Sequence, residues 1–303
     1  MSKSARQSFL GADSTRVLAE ARVGIVGLGG GGSHVAQQLA HVGIGNYVLV
    51  DPDVIEESNL NRLVGATTAD VEQRARKVDI ASRVIRGVLP ESNIIAAFAN
   101  WQDAAGHLKS CDLIVGGLDS VRAKDELDRY CRRYLIPYVD MGMDVHKVGD
   151  HFLIAGQVVL VTPGAPCLRC LSVVTDDALE QEARKYGAAG SKPQVVWPNG
   201  VLAAAAVGLV IQQICPWHAT APAGAYLEYD GNKHTIVPHQ GHTVLLQRRC
   251  SHFFAEEAGD AIFDIRRPPS RHAEMERRPA PWQRLLLALR KGLRSILAGS
   301  LAH

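Results

Sequence analysis

From Val23 to Asp140, short apolar runs alternate with segments of helical spacing. Residues 23–26, 47–50, 93–99, 112–116 and 136–140 read as strands, being short and rich in apolar and β-branched residues. Between them, 33–42, 70–88, 104–108 and 121–134 repeat apolar residues at helical spacing. Strand and helix in alternation predict an α/β fold, a mostly parallel sheet with helices on both faces. Past Asp140 the pattern changes. Residues 152–161, 223–230 and 233–238 predict antiparallel strands that extend the sheet, the last two joined at Asp230-Gly231. Residues 200–215 are Ala-rich and apolar nearly all round, a buried helix. Before the first strand, residues 1–20 predict an arm and a short helix capped near Asp13 or Ser14. The polar stretch 175–194 has no clear period.

Residues 266–281 hold four prolines and five arginines and read as a linker. After it, Trp282, Leu285, Leu286, Leu289, Leu293, Ile296 and Leu297 form one helical stripe flanked by Arg284, Arg290, Lys291 and Arg294. The predicted organisation is therefore a 1–265 main domain, a 266–281 linker and a 282–303 basic amphipathic tail.

Composition changes this picture little. The chain has 303 residues, 47% hydrophobic and 21% charged, enough for one sizeable core. No apolar run reads as long enough to cross a bilayer, and the first ten residues lack the apolar centre of a secretion signal. Six cysteines, two of them closely spaced, do not form a secreted disulfide framework, so a cytoplasmic location is expected. Charge is uneven: 266–303 carries nine Lys or Arg against two Glu, while the body is mildly acidic. The tail helix could dock on the body, meet an anionic membrane surface or bind a partner, the membrane version being the less favoured. Nucleic-acid binding is not expected, because the arginines are not interleaved with a folded reading motif.

The candidate chemistry begins at residues 27–32, where five of six residues are glycine. Strand, glycine turn, helix, strand and then Asp51 is a Rossmann-like mononucleotide-binding unit. Gly27 would permit the tight turn, Gly29 would let backbone approach phosphate, and Gly32 would let the helix pack on its strand. The helix's free N–H groups would face the phosphate, and Asp51 would accept hydrogen bonds from a ribose.

After Gly27-Leu28-Gly29-Gly30-Gly31-Gly32-Ser33 come Asp51-Pro52-Asp53 with Ser58-Asn59-Leu60-Asn61-Arg62, then Lys77, Gly117-Leu118-Asp119 and Cys167-Leu168-Arg169-Cys170. This ordered set, from about Arg6 to Val237, resembles the GxGGxGS, DxD…SNLNR, helical Lys, acid and CxxC motifs of the ThiF/MoeB/ubiquitin-activating superfamily of ATP-dependent adenylyltransferases. The resemblance implies that ATP is attacked at its α-phosphate by the C-terminal carboxylate of a small β-grasp carrier, a ubiquitin-like or sulfur-carrier protein ending in Gly-Gly. It further implies Asn59 on metal or phosphates, Arg62 and Lys77 on phosphates, Asp119 on Mg²⁺, and Arg6 acting across a homodimer. Cations are what such a reaction needs, since carboxylate and polyphosphate repel.

Cys167 and Cys170 have the spacing of half a tetrahedral zinc site. The family's second CxxC is missing. Cys250 and His252 are the candidate remaining ligands of a structural Zn²⁺, with His242 or His239 as substitutes. The family's thioester-forming members carry a cysteine between the CxxC and the next helix, and residues 171–200 contain none. Any thioester step would then use Cys215, Cys250 or another protein, a conjugating enzyme among them. Cys111 and Cys131 read as core, and His34 as a helix-surface residue. Rival readings are an NAD(P)-dependent oxidoreductase, an inactive binding subunit of this superfamily, and a relative acting on a small molecule or tRNA. The pathway stays open among thiamin, molybdopterin and ubiquitin-like conjugation.

Overall fold

The computed structural model describes residues 5–184, 193–247, 250–253 and 258–259. They fall in one compact unit, Met1–Phe263, and the second unit, Asp264–His303, lies outside the described residues together with the expected linker and tail helix.

A 3-10 turn, Ala5–Leu10, leads into α1 (Ser14–Glu20). Then come β1 (Arg22–Val26), α2 (Gly30–Val42), β2 (Asn46–Val50), α3 (Thr68–Glu72), α4 (Lys77–Val88) and β3 (Asn93–Ala97). The chain continues through α5 (Ala105–Leu108), β4 (Leu113–Gly116), α6 (Val121–Arg133), β5 (Tyr138–Val148) and β6 (His151–Val161). It ends with α7 (Asp176–Arg184), α8 (Val196–Ile214), β7 (Gly224–Asp230), β8 (Thr235–Pro238) and α9 (His242–Leu246).

One eight-stranded sheet has the order β3-β2-β1-β4-β5-β6-β7-β8. The first five strands pair in parallel, with Ile25 opposite both Leu49 and Val115, and β6, β7 and β8 add on antiparallel. The chain steps outward from β1 to β3 and then returns to β4 on β1's other side. Such a switch point opens a crevice beyond the strands' carboxyl ends, and ligands collect there.

The apolar spacing of the helices is spent on one core. Val35 and Leu39 of α2, Val78 and Ile85 of α4, and Leu202 and Val210 of α8 pack with Ile25, Leu49 and Val158 of the sheet. Helix α8 corrects one expectation: by length and composition it could span a bilayer. It packs against α2, β5 and β6 instead, and half of its apolar window is buried.

The expected helix over 70–88 is two helices. Thr67 and Asp70 close a capping box at the start of α3, and Arg74 takes a left-handed φ of 50°. Ala75 N–H then bonds Asp70 O, and Val54 bridges Arg76. The break makes Lys77 the first residue of α4 instead of a mid-helix residue. Strand β5 also runs eight residues past Asp140, because β6 pairs along its whole length to Val148↔His151. Residues 196–199 join α8, and α7 and α9 form where no helix was expected.

Candidate active site

A cavity of about 370 Å³ lies at the switch point. Gly27 closes β1 with φ +86°, and a Cβ there would stand 2.6 Å from Gly117 O on the next strand's extension. Only glycine meets both conditions. At Gly29, which lines the cavity, a Cβ would meet no protein atom within 4 Å. That backbone is open to a ligand. Gly30 lines the cavity as well, whereas Gly32 is buried beneath the turn. The turn opens directly into α2, whose first N–H groups have no partners within the helix.

Asp51 holds this turn. Its Oδ2 accepts Leu28 N–H at 2.6 Å and its Oδ1 accepts Asp53 N–H at 2.8 Å. Burial pushes its carboxyl up, opposed by the Lys77 charge and those two N–H groups. Both oxygens therefore serve the protein's own backbone, and the more exposed Asp53 offers the freer carboxylate of the pair.

The loop after β2 brings cations to the same cavity. Asn59 ends a 3-10 turn and is nearly buried, its Oδ1 accepting Glu56 N–H at 3.2 Å. Arg62 is held by Ser58 O at 2.6 Å and Asn61 Oδ1 at 3.0 Å. Lys77 Nζ lies 2.7 Å from Asp53 Oδ2. Leu118 and Asp119 follow β4 on the cavity's other side, where Gln194 Nε2 donates to Asp119 Oδ1 at 3.1 Å. Gly27, Gly29, Gly30, Asp51, Asp53, Asn59, Arg62, Lys77, Leu118 and Asp119 all line one cavity. Arg6 does not line it; it is exposed on the N-terminal 3-10 turn.

Other lining residues carry weaker signals in the sequence. Asn100 and Trp101 follow β3 at its carboxyl end, a position that could have singled them out. Met141, Gln194 and Asn199 carry no local signal, being brought in by β5, the crossover segment and α8. His34 is half-buried beside Gly200 of α8, and burial pushes its imidazole pKa down. It is a packing residue, not an exposed surface one.

The cysteines divide cleanly. Cys111, Cys131 and Cys215 are buried, and no cysteine lines the cavity. Cys167, Cys170, Cys250 and His252 form a cluster whose ligand atoms all lie within 4.8 Å of one another. Cys167 Sγ is 3.6 Å from Cys170 Sγ, and His252 Nδ1 is 3.5 and 3.3 Å from the two sulfurs. A tetrahedral zinc with bonds of about 2.0–2.3 Å has edges of about 3.3–3.8 Å, so the set fits such an ion. Thiol donation from Cys167, with help from the backbone N–H groups of His252 and Phe253, holds the Cys250 thiol below its usual range. His239 is engaged elsewhere, stacked on Tyr226 with ring centroids 4.5 Å apart.

The chain is 33% identical over 156 residues to the SAMP-activating enzyme E1 of Haloferax volcanii, covering 51% of this chain and 54% of that protein. It is 34% identical over 164 residues to the molybdopterin-synthase adenylyltransferase of Escherichia coli, covering 53% and 62%. A tRNA threonylcarbamoyladenosine dehydratase of Escherichia coli is 33% identical over 135 residues, covering 44% and 50%. The matches thus span half to three-fifths of these relatives' lengths. The fold is shared with E. coli MccB, solved with ATP, at a TM-score of 0.61 and 22% identity, covering 78% of this chain and 68% of that one. The ThiF family model matches residues 1–248. With that match spanning most of the chain, from the arm through the glycine turn to α9, this protein belongs to the ThiF family.

Proposed function

We propose that this protein adenylates the C-terminal carboxylate of a small β-grasp protein, ubiquitin-like or sulfur-carrying, using ATP. One observation carries the reading: a single cavity gathers the open backbone at Gly29, the cations Arg62 and Lys77, and the acid Asp119. Hydride transfer has no need of that set, which argues against the oxidoreductase reading, and retention of all three charged groups argues against an inactive subunit.

The phosphates rest on the Gly29–Gly30 backbone and the first N–H groups of α2. Attack by the carrier's carboxylate on the α-phosphate forms a C(O)–O–P bond while the bond to the β-phosphate breaks and pyrophosphate leaves. Arg62 and Lys77 take up the charge that grows on the leaving oxygens. Lys77 trades Asp53 for phosphate in that step. Asp119, with the phosphates, would hold Mg²⁺, which neutralises the same charge when bound. Arg6 reaches the site from a second copy of the chain. The four-residue Cys/His cluster holds a structural Zn²⁺.

No thiol lines the cavity. This favours transfer of the acyl group to a nucleophile on another protein over a thioester at Cys215 or Cys250.

ATP–pyrophosphate exchange with candidate carriers tests the proposal. Exchange should require the carrier, vanish when its final Gly-Gly is removed, and fall at least a hundredfold in Lys77→Met. ATP consumption driven by tRNA, with no exchange for any Gly-Gly carrier, would replace this reading with the dehydratase-like one.

A further inference from the structure

The turn that presents Asp119 is gripped by two points of the crossover segment between β6 and α8, Glu182 within α7 and Gln194 just before α8. On the α7 side, Glu182 accepts the N–H groups of Val121 at 3.1 Å and Arg122 at 2.9 Å. These belong to the first turn of α6, where N–H groups have no intrahelical partners. Ser120 Oγ accepts a third, that of Ala123, at 3.1 Å. On the α8 side, Gln194 Nε2 donates to Asp119 Oδ1 at 3.1 Å. Gln194 is fixed in turn by its own carbonyl, which accepts Asn61 Nδ2 at 2.9 Å. Asn61 also accepts Arg62 Nη1 at 3.0 Å. One residue thus joins the loop that carries the arginine to the acid across the cavity.

We propose that Gln194 is a positioning residue for Asp119. Its amide holds Asp119 Oδ1 by hydrogen bond and so restricts the orientation in which that carboxylate meets a nucleotide-bound metal. The inference rests on the reading of Asp119 as the Mg²⁺ ligand. A carboxamide suits this role because its nitrogen donates without adding charge, where lysine would compete with the metal. Partners that orient metal-binding carboxylates affect affinity by about 10–100-fold when removed.

The proposal is tested by Mn²⁺ binding, followed by electron paramagnetic resonance with a non-hydrolysable ATP analogue present. Gln194→Met keeps the side chain's length and the main-chain bond to Asn61 but lacks the donor. We expect its Mn²⁺ affinity to fall about tenfold, with analogue binding in the absence of metal and thermal midpoint both unchanged. Pyrophosphate exchange should show a raised requirement for Mg²⁺ and a kcat near that of the parent at saturating metal. Unchanged Mn²⁺ affinity in Gln194→Met, while Asp119→Asn loses it, would overturn the role of Gln194 alone. Loss of metal-free analogue binding in Gln194→Met would also overturn it, as a sign that the residue only shapes the cavity. Absence of nucleotide-dependent Mn²⁺ binding by the parent protein would overturn the reading of Asp119 itself.

Discussion

A Cβ placed on Gly32 would lie 1.9 Å from the carbonyl oxygen of Gly27. Two backbones meet there, so no side-chain adjustment can make room. At Gly29, three residues earlier, the same Cβ would meet nothing within 4 Å. The glycines of one turn therefore serve different ends, packing at Gly32 and ligand approach at Gly29. Gly32→Ala should cost about 3 kcal/mol or more in urea unfolding, at the upper end of overpacking. Gly29→Ala should unfold within about 0.5 kcal/mol of the parent yet bind nucleotide at least tenfold more weakly in calorimetry. Equal stability losses for the two would refute this division.

Lys124 and Asp140 form a buried ion pair beside the cavity. Lys124 Nζ donates to Asp140 Oδ2 at 2.8 Å and to Met141 O at 3.1 Å, while Tyr138 OH donates to Asp140 Oδ1 at 2.9 Å. Burial pushes the Asp140 carboxyl up and the lysine opposes it. Lys124→Met strands the carboxylate and should cost about 3–5 kcal/mol. Adding Asp140→Asn removes the stranded charge and should restore part of that loss. A double-mutant cycle by chemical denaturation measures the coupling; singles that merely add would show the pair to be inert.

Metal content checks the Cys/His cluster. The purified chain should hold one zinc, measured by mass spectrometry, and both Cys170→Ser and His252→Ala should lower the occupancy. Cys111→Ser lies outside the cluster and should keep it. Structural zinc contributes directly to folding, so a strong chelator should lower the thermal midpoint by about 5 °C or more, roughly 2 kcal/mol for a domain of this size. A metal-free chain of unaltered midpoint would remove zinc from the account.

Asp70 sits under Arg83, whose Nη1 and Nη2 lie 2.7 Å from its two oxygens, and Thr67 donates to it as well. The guanidinium holds this carboxyl well below the usual carboxylate range. A depressed folded pKa stabilises above the unfolded value, about 3.9, and that stability drains away as pH falls toward the folded pKa. Unfolding free energy should therefore decline below about pH 4. Arg83→Met should flatten this limb, leaving stability at pH 7 lower by about 1 kcal/mol because the arginine is half exposed. A parallel decline in parent and variant would assign the acid limb to other groups.

Much of this architecture was legible in the chain itself. Strand and helix periods follow from local burial, so the sequence places β1 to β4, α2 and α6 within a few residues of where they lie. Where the expectation failed, the cause lay outside the local pattern. The spacing of residues 70–88 is helical on both sides of Arg74, and the break there goes with contacts from outside the stretch, Val54 bridging Arg76 and Ile55 N–H bonding Ala75 O. The full length of β5 likewise depended on a partner, β6, pairing through to its tip.

The site divides in the same way. Glycine spacing, SNLNR, Lys77 and Asp119 are short-range signals, because backbone geometry and charge at fixed offsets are written in neighbouring residues. The sequence alone determined the glycine turn, the cations that follow it and the Cys167–Cys170 spacing. Tertiary structure decided what completes them: Cys250 and His252 meet that pair from about 80 residues away. It also turned both oxygens of Asp51 onto backbone N–H groups, and set Gln194 and Asn199 at the cavity. Apart from the Asp51–Asp53 turn, these are contacts between distant segments, and no local period encodes them.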